Sequence, residues 1–261
     1  MTPNVRVEGV GLISGWGEGV AALPDDARVA AAGREVIPLP TPPYTDERFR
    51  RATRECLLGI AATTAALRVC RLAREEIRGG DTALIYATAG AYGASNRTFI
   101  ETAASGAVRF PYTAPSAVPA EVAIEFGLSG SYVILIGGAT ATLEALWQAS
   151  VLIARGAARR ALVLAVETFT ECADLYARGG RLLSRPLTEA AACAVLLPGR
   201  EPAAWRPATD DRLEAMVKRR AGETLACEPL IALALGAGSG GSITVTGGWR
   251  GRRAGLGMVT A

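Results

Sequence analysis

No histidine occurs among the 261 residues. That absence removes every mechanism needing an imidazole from this chain: Ser-His-Asp or Cys-His nucleophile activation, HExxH zinc hydrolysis and a histidine general base near neutral pH. The five cysteines, Cys56, Cys70, Cys172, Cys193 and Cys227, form no CxxC pair, and several lie in apolar runs. They read as buried thiols of a reduced compartment, with no metal site among them. At Gly137-Gly138-Ala139-Thr140-Ala141-Thr142 a buried strand meets a helix N-terminus, which on spacing alone reads as an ordinary Gly-rich strand-to-helix turn, with a reactive elbow as the alternative. Such a turn can hold a nucleophile under strain, and its free N–H groups can stabilise an oxyanion or carboxylate. The side chain presented there is Ala139, a methyl group that is neither nucleophile nor acid. Thr140 and Thr142 offer hydroxyls with no activating neighbour in sequence, and helix capping accounts for them. Gly9-Val10-Gly11 and the run Gly236 to Gly241 match neither the dinucleotide fingerprint nor Walker A, so no nucleotide cofactor is expected. Trp147 is assigned to core or subunit-interface packing. Glu144 is left between solvent and a partner, and Arg178, Arg181 and Arg185 between an acidic surface and a solvated loop.

The elements that must position these residues follow from periodicity. Val5 to Ile13 reads as the first strand, Phe49 to Cys70 as a helix with an apolar stripe, and Ala83 to Thr88 as a buried strand. Helices are expected over Asn96 to Ala104 and Ala120 to Phe126, separated by the stretch carrying Pro111, Pro115 and Pro119. Tyr132 to Ile136, Thr142 to Arg155 and Ala161 to Val166 form a strand, helix, strand series, a βαβ unit with parallel strands. Ala191 to Leu197 is a further strand, and Pro198 to Asp210 reads as a linker. Beyond it come a helix over Gly222 to Leu235 despite Pro229, strands at Ser242 to Thr246 and Leu256 to Val259, and a turn whose arginines face solvent.

The 27.0 kDa mass, 50% hydrophobic and 20% charged content, and 44 Gly plus Pro residues fit a folded α/β chain of one large or two intimate domains. A net charge of +3 gives no nucleic-acid footprint but leaves a small acidic partner open. The N-terminus carries no signal-peptide pattern, and no apolar run approaches the roughly 18 residues of a membrane span. A soluble cytoplasmic protein, off the membrane, is expected.

The order of these pieces resembles the ketosynthase branch of the thiolase superfamily, and within it the catalytically deficient subunits called chain-length factors. Val7-Glu8-Gly9-Val10-Gly11-Leu12-Ile13-Ser14 is similar to the opening strand and turn of that family. Phe110 to Ala117 and Ala123 to Gly130 resemble the stretch preceding the nucleophile strand, and Gly138 to Leu146 falls on the nucleophile elbow. Gly156 through Glu167 resembles the next strand, with its terminal Val-Glu. The resemblance runs in order and spacing from residue 5 to about 197. In active ketosynthases the elbow cysteine takes the acyl chain, and two histidines help decarboxylate the malonyl extender and stabilise the carbanion or enolate. Here Ala139 stands at the cysteine position, and Gly222-Glu223-Thr224-Leu225-Ala226 looks like the second histidine motif with Glu223 in the histidine's place. Gly247-Gly248-Trp249-Arg250-Gly251 corresponds to the Gly-rich, Phe-containing terminal loop. Alanine, where such subunits often carry glutamine, argues against malonyl decarboxylation by this chain.

The resemblance implies a thiolase-like layered αβαβα fold with an abbreviated C-terminal half. Residues 1–197 would form the ketosynthase-like αβ half, 198–210 a linker, and 211–261 the shortened half completing the core. It implies a non-catalytic partner in a heterodimer with a full-length catalytic ketosynthase, serving an acyl carrier protein in type II polyketide or fatty-acid-like biosynthesis, polyenes included. The chain would not be an enzyme by itself and would need no cofactor. Tyr132, Val133, Ile134, Leu135 and Ile136 would pair across the dimer axis, and Phe99, Phe110, Tyr112 and Thr113 are candidates for shaping the acyl tunnel. Chain length can be read there because each buried CH₂ contributes about 0.8 kcal/mol while a bulky end residue clashes. Two alternatives stand beside this: a stand-alone acyl- or carrier-protein-binding module, and an atypical acyl-transfer enzyme using Glu223, Thr140 or a cysteine.

Overall fold

The computed structural model describes residues 3–101, 110–170, 174, 185–237 and 241–261. Its strands are β1 (Asn4–Ser14), β2 (Gly17–Glu18), β3 (Val36–Ile37), β4 (Thr82–Thr88), β5 (Tyr132–Ile136), β6 (Arg160–Glu167), β7 (Leu187–Thr188), β8 (Ala190–Pro202), β9 (Ala204–Arg206), β10 (Gly241–Trp249) and β11 (Arg252–Thr260). The helices are α1 (Ala27–Ala31), α2 (Arg54–Cys70), α3 (Arg74–Ile77), α4 (Gly93–Glu101), α5 (Ala117–Phe126), α6 (Ala139–Ala154), α7 (Arg212–Ala221) and α8 (Glu228–Gly236).

Among the described residues the main sheet runs β10-β11-β1-β8-β6-β4-β5. Strands β4, β5 and β6 are mutually parallel, β8 is antiparallel to its neighbours β6 and β1, and β11 lies parallel to β1. The two-residue side-chain period sorts this sheet into two cores. Leu84, Tyr86, Leu162, Leu164, Cys193 and Val195 face α2 and α5. Ala83, Ile85, Ala87, Val163, Ala192 and Ala194 face α6 and α8. Alanines dominate the second face, so α6 can approach the sheet closely. Its Leu143 and Leu146 are fully buried there, each contributing about 1.5–3 kcal/mol. The sheet then curls, because α6 also packs against β10 and β11 on its far side. The layers are therefore helix, sheet, helix and returning sheet edge, a thiolase-like α/β fold in which the stretch after β9 adds α7, α8 and a hairpin hydrogen-bonded to β1.

Gly11 shows how tightly β1 and α2 are joined: a Cβ there would sit 2.1 Å from the Ala66 backbone nitrogen. Several expected boundaries move for local reasons. The helix expected from Phe49 begins at Arg54, since Glu47–Phe49 forms a separate 3₁₀ turn. Pro119 and Pro229 fall inside the first turns of α5 and α8, where a proline's missing N–H has no intrahelical partner to lose. The stretch expected as a linker carries strand instead, because β8 continues through Pro202 and β9 pairs with β11. The stretch from residue 102 to 104, and Cys172, Arg178, Arg181 and Gly238 to Gly240, lie outside the described residues.

Candidate functional site

The elbow is built where β5 ends, Gly137 and Gly138 turn the chain, and α6 begins at Ala139. The Gly137 N–H donates to the Thr88 carbonyl at 2.9 Å, which keeps the turn at the carboxyl end of the parallel strands. No side chain caps α6, so the expected capping role of the threonines is not what the structure uses. Thr142 Oγ1 instead donates to the Ala226 carbonyl at 2.6 Å. That bond ties the first turns of α6 to the segment carrying Glu223.

Ala139 itself is sealed, with 1% of its surface exposed. A Cβ on Gly138 would meet the Trp249 ring at 2.3 Å, and one on Gly247 would meet the Ala139 Cβ at 2.6 Å. Both covering residues come from the β10–β11 hairpin, whose two-residue turn places Arg250 and Gly251 at positive φ. The hairpin is latched by buried Glu214 on α7. This carboxylate accepts from Thr246 Oγ1 at 2.9 Å, Arg253 Nη2 at 2.7 Å and Lys218 Nζ at 2.9 Å. Burial pushes the Glu214 carboxyl up, but Lys218, Thr246 and Arg253 outweigh it and hold the group below its ordinary range. Arg253 keeps 46% of its side chain exposed, in line with the expectation for that turn, while its guanidinium reaches the buried Glu214.

Glu223 is half-buried and lines a cleft of about 430 Å³ with Glu214, Lys218, Glu228 and Trp249. Its main chain is pinned: its N–H donates to the Pro186 carbonyl, and its carbonyl accepts from Thr188 N–H, both at 2.9 Å. Burial raises the Glu228 carboxyl to about 8, with Lys218 pulling the other way from 3.6 Å.

Two further carboxylates organise the site and were not singled out as site residues in sequence. Glu167 ends β6 fully buried and accepts from the N–H groups of Ala89 at 2.5 Å, Gly90 at 3.1 Å and Ala226 at 3.3 Å. Burial raises it to about 8 against those three donors. Glu189 accepts from the N–H groups of Leu39, Phe169 and Thr170, each at 2.7 Å, and from both terminal nitrogens of Arg54 at 2.8 and 2.9 Å. Burial pushes this carboxyl up, yet Arg54 and the N–H donors bring it down to about 2. The sequence signal for both was a lone glutamate bordering a buried apolar strand, Val166-Glu167 and Glu189-Ala190.

Thiol chemistry is suppressed at the four described cysteines. Burial lifts Cys56, Cys70 and Cys193 to about 12. Cys227 is likewise raised, by burial and by neighbouring Glu167, and its thiol donates to the Ala190 carbonyl at 3.3 Å. Among the described residues no acidic or thiol cluster could hold a metal ion.

The tunnel candidates gather at one place. The Phe99 and Phe110 rings lie 5.8 Å apart, and Thr113 Oγ1 donates to the Phe110 carbonyl at 2.8 Å. Tyr112 donates to Glu121 at 3.2 Å and opens on a cavity of about 370 Å³ lined by Arg50, Arg51, Thr53, Ser95 and Thr98. Phe110 is 63% exposed, so the group sits at a surface rather than in the core. The candidate interface strand β5 is an edge strand among the described residues. Leu84 N–H donates to the Ser131 carbonyl and Gly137 N–H to that of Thr88. The parallel alternation between those bonds turns the main-chain groups of Tyr132, Ile134 and Ile136 away from β4. Tyr132 and Ile136 are 42% and 52% exposed. Trp147 is half-buried with its ring 5.7 Å from that of Trp205, and Glu144 accepts from Gln148 at 3.2 Å.

Residues 42–194 match the family model described as beta-ketoacyl synthase, N-terminal domain. No curated protein matches the sequence. Among solved structures, the chain is similar to one from "AntDE:AntF (apo): type II PKS acyl-carrier protein in complex with its ketosynthase bound to the hexaketide", at TM-score 0.77 and 15% identity over 99% of both chains. It is similar to one from "The ishigamide ketosynthase/chain length factor" at TM-score 0.69 and 16% identity, covering 99% of this chain and 100% of that one. A ketosynthase in complex with its chain length factor from Xenorhabdus doucetiae gives TM-score 0.62 and 12% identity over 97% and 98% of the two chains. The matched segment contains β4, the elbow, α6 and β6, the elements that set the geometry described above, and the chain belongs to the beta-ketoacyl synthase N-terminal-domain family of the thiolase superfamily.

Proposed function

We propose that this chain is the non-catalytic, chain-length-factor-like partner of a full-length ketosynthase, in type II polyketide or fatty-acid-like biosynthesis, polyenes included. The observation that carries the reading is Ala139: the residue at the elbow is a buried methyl group in a chain without histidine. Without a thiol there, no acyl-enzyme can form at this turn, and without imidazole the family's decarboxylation has no donor in this chain. Glu223, in the position of the histidine, is held in a cleft beside Lys218 and serves the fold of that turn.

The remaining surface is suited to assembly. Strand β5 offers main-chain donors and acceptors along a free edge, so the catalytic partner extends its sheet through Tyr132 to Ile136. The cluster at Phe99, Phe110, Tyr112 and Thr113 stands at the surface where it can shape the partner's acyl tunnel, and an acyl carrier protein delivers the chain. Residues 1–197 act as the ketosynthase-like half and 211–261 as the shortened half that completes the core. No described helix is long and apolar enough to cross a membrane, and we place the complex in the cytoplasm. Co-expression with candidate ketosynthases, followed by size-exclusion chromatography with light scattering, tests the reading. A 1:1 complex retaining the 27.0 kDa chain is expected. A stable monomer that ignores every candidate returns the solitary acyl- or carrier-binding module.

A further inference from the structure

The elbow lacks its nucleophile, yet the atoms around it go beyond that deletion. In a site that had lost only a thiol, the space for the acyl group would remain, bordered by the free N–H groups of the helix N-terminus. Here that space is filled. The Trp249 ring lies against Gly138 so closely that a methyl there would come within 2.3 Å of Cε3, 2.7 Å of Cδ2 and 2.9 Å of Cζ3. Its indole edge also covers Gly137, where a Cβ would be 3.8 Å from Cδ1 and Nε1. Gly247 of the same hairpin lies against Ala139, where an added Cβ would be 2.6 Å from the Ala139 methyl. The hairpin carrying both is held by the Glu214 bonds to Thr246 and Arg253, and Arg250 lies 5.6 Å from the centre of the indole.

We propose that Trp249 is a steric plug, a second block on the elbow that excludes an acyl thioester independently of the missing cysteine. The inference rests on reading position 139 as the nucleophile site, and it adds that restoring the thiol does not restore access. Glycine at 138 is required by the plug, since the indole occupies the volume of any side chain there. The elbow has become a packing node joining α6 to the hairpin.

Iodoacetamide on the purified chain tests this, with labelling rates resolved by peptide mass spectrometry. In the reaction the thiolate displaces iodide, and the thiol proton goes to solvent. Buried Cys193 serves as the internal standard for a thiol reached only on unfolding, and half-buried Cys70 as the reference for partial access. In Ala139→Cys the new thiol is expected to label no faster than Cys193. In A139C/W249A it is expected to label at least about tenfold faster while Cys193 stays protected. Equal labelling of position 139 with and without Trp249 overturns the plug. Where W249A exposes Cys193 as well, a thermal-stability cycle decides. Gly138→Ala is expected to lower the melting temperature in the parent and to cost markedly less in the W249A background. A penalty of the same size in both backgrounds overturns the proposal. Failure to bind any ketosynthase would leave this result standing, and rapid labelling of A139C alone would leave the partner reading standing.

Discussion

Glu189 and Glu167 are buried carboxylates held in opposite ways. Glu189 is matched by a bidentate arginine and three N–H donors, and it titrates at about 2 instead of 4.5. Its contribution is present above the unfolded value and lost as pH falls from about 4.5 toward 2. Removing its cation strands a buried charge, so Arg54→Leu is expected to cost about 3–5 kcal/mol in urea denaturation. Breaking the exposed Arg68–Glu18 pair is expected to cost about 0–1 kcal/mol. Glu167 has donors but no facing cation among the described residues, and it keeps its proton up to about 8. Across pH 4.5–8 the folded chain therefore binds more protons than the unfolded one, and stability falls as pH rises. Glu167→Gln is expected to flatten that fall, measured as the denaturation midpoint against pH; an unchanged slope would assign the dependence to Glu228. That these glutamates stand beside apolar strands was legible in sequence. Their opposite electrostatics was not, because the groups deciding it come from residues up to 150 positions away.

At the scale of elements, the free edge of β5 and the contact of β1 with α2 give sharp expectations. Ile134→Pro removes a main-chain N–H that points away from β4, so it is expected to preserve the fold by circular dichroism and abolish the ketosynthase complex. Ile134→Ala keeps the N–H and is expected to retain the complex. Gly11→Ala forces a methyl into the backbone of α2 and is expected to destabilise by about 1–3 kcal/mol or more by thermal unfolding. The strand, elbow, helix, strand series was readable from periodicity alone, since buried parallel strands carry uninterrupted apolar runs. The hairpin was read as two shorter strands joined by a solvated turn. Its true length depends on pairing along nine residues per strand and on the Arg253–Glu214 latch, which are tertiary facts.

The whole molecule closes through its last residues. Strand β11 is hydrogen-bonded parallel to β1, and Val245, Leu256 and Met258 enter the core that holds α6. Deleting 241–261 would expose that core and leave β1 as a bare edge. The truncated chain is expected to lose near-ultraviolet circular dichroism and cooperative unfolding; a cooperative transition at the parent's midpoint would show the N-terminal half to be self-sufficient. The same closure explains why the stretch from 198 to 206 is strand. Strand β9 pairs with β11 rather than linking separate bodies.

The sequence by itself determined the α/β character, the strand, Gly-Gly turn, helix, strand series and the absence of any imidazole, because these depend on local periodicity and on which residue types are present or absent, while the thiolase-like layering followed from the family resemblance. Only the tertiary structure decided which groups meet: that Trp249 lies against Gly138 and Gly247 against Ala139, that Thr142 binds the Glu223 segment, that one carboxylate is charged and another protonated, and that the sheet curls around α6. Each of these is set by contacts between segments distant in sequence, where burial removes water and leaves the nearest donor, cation or ring to decide the outcome.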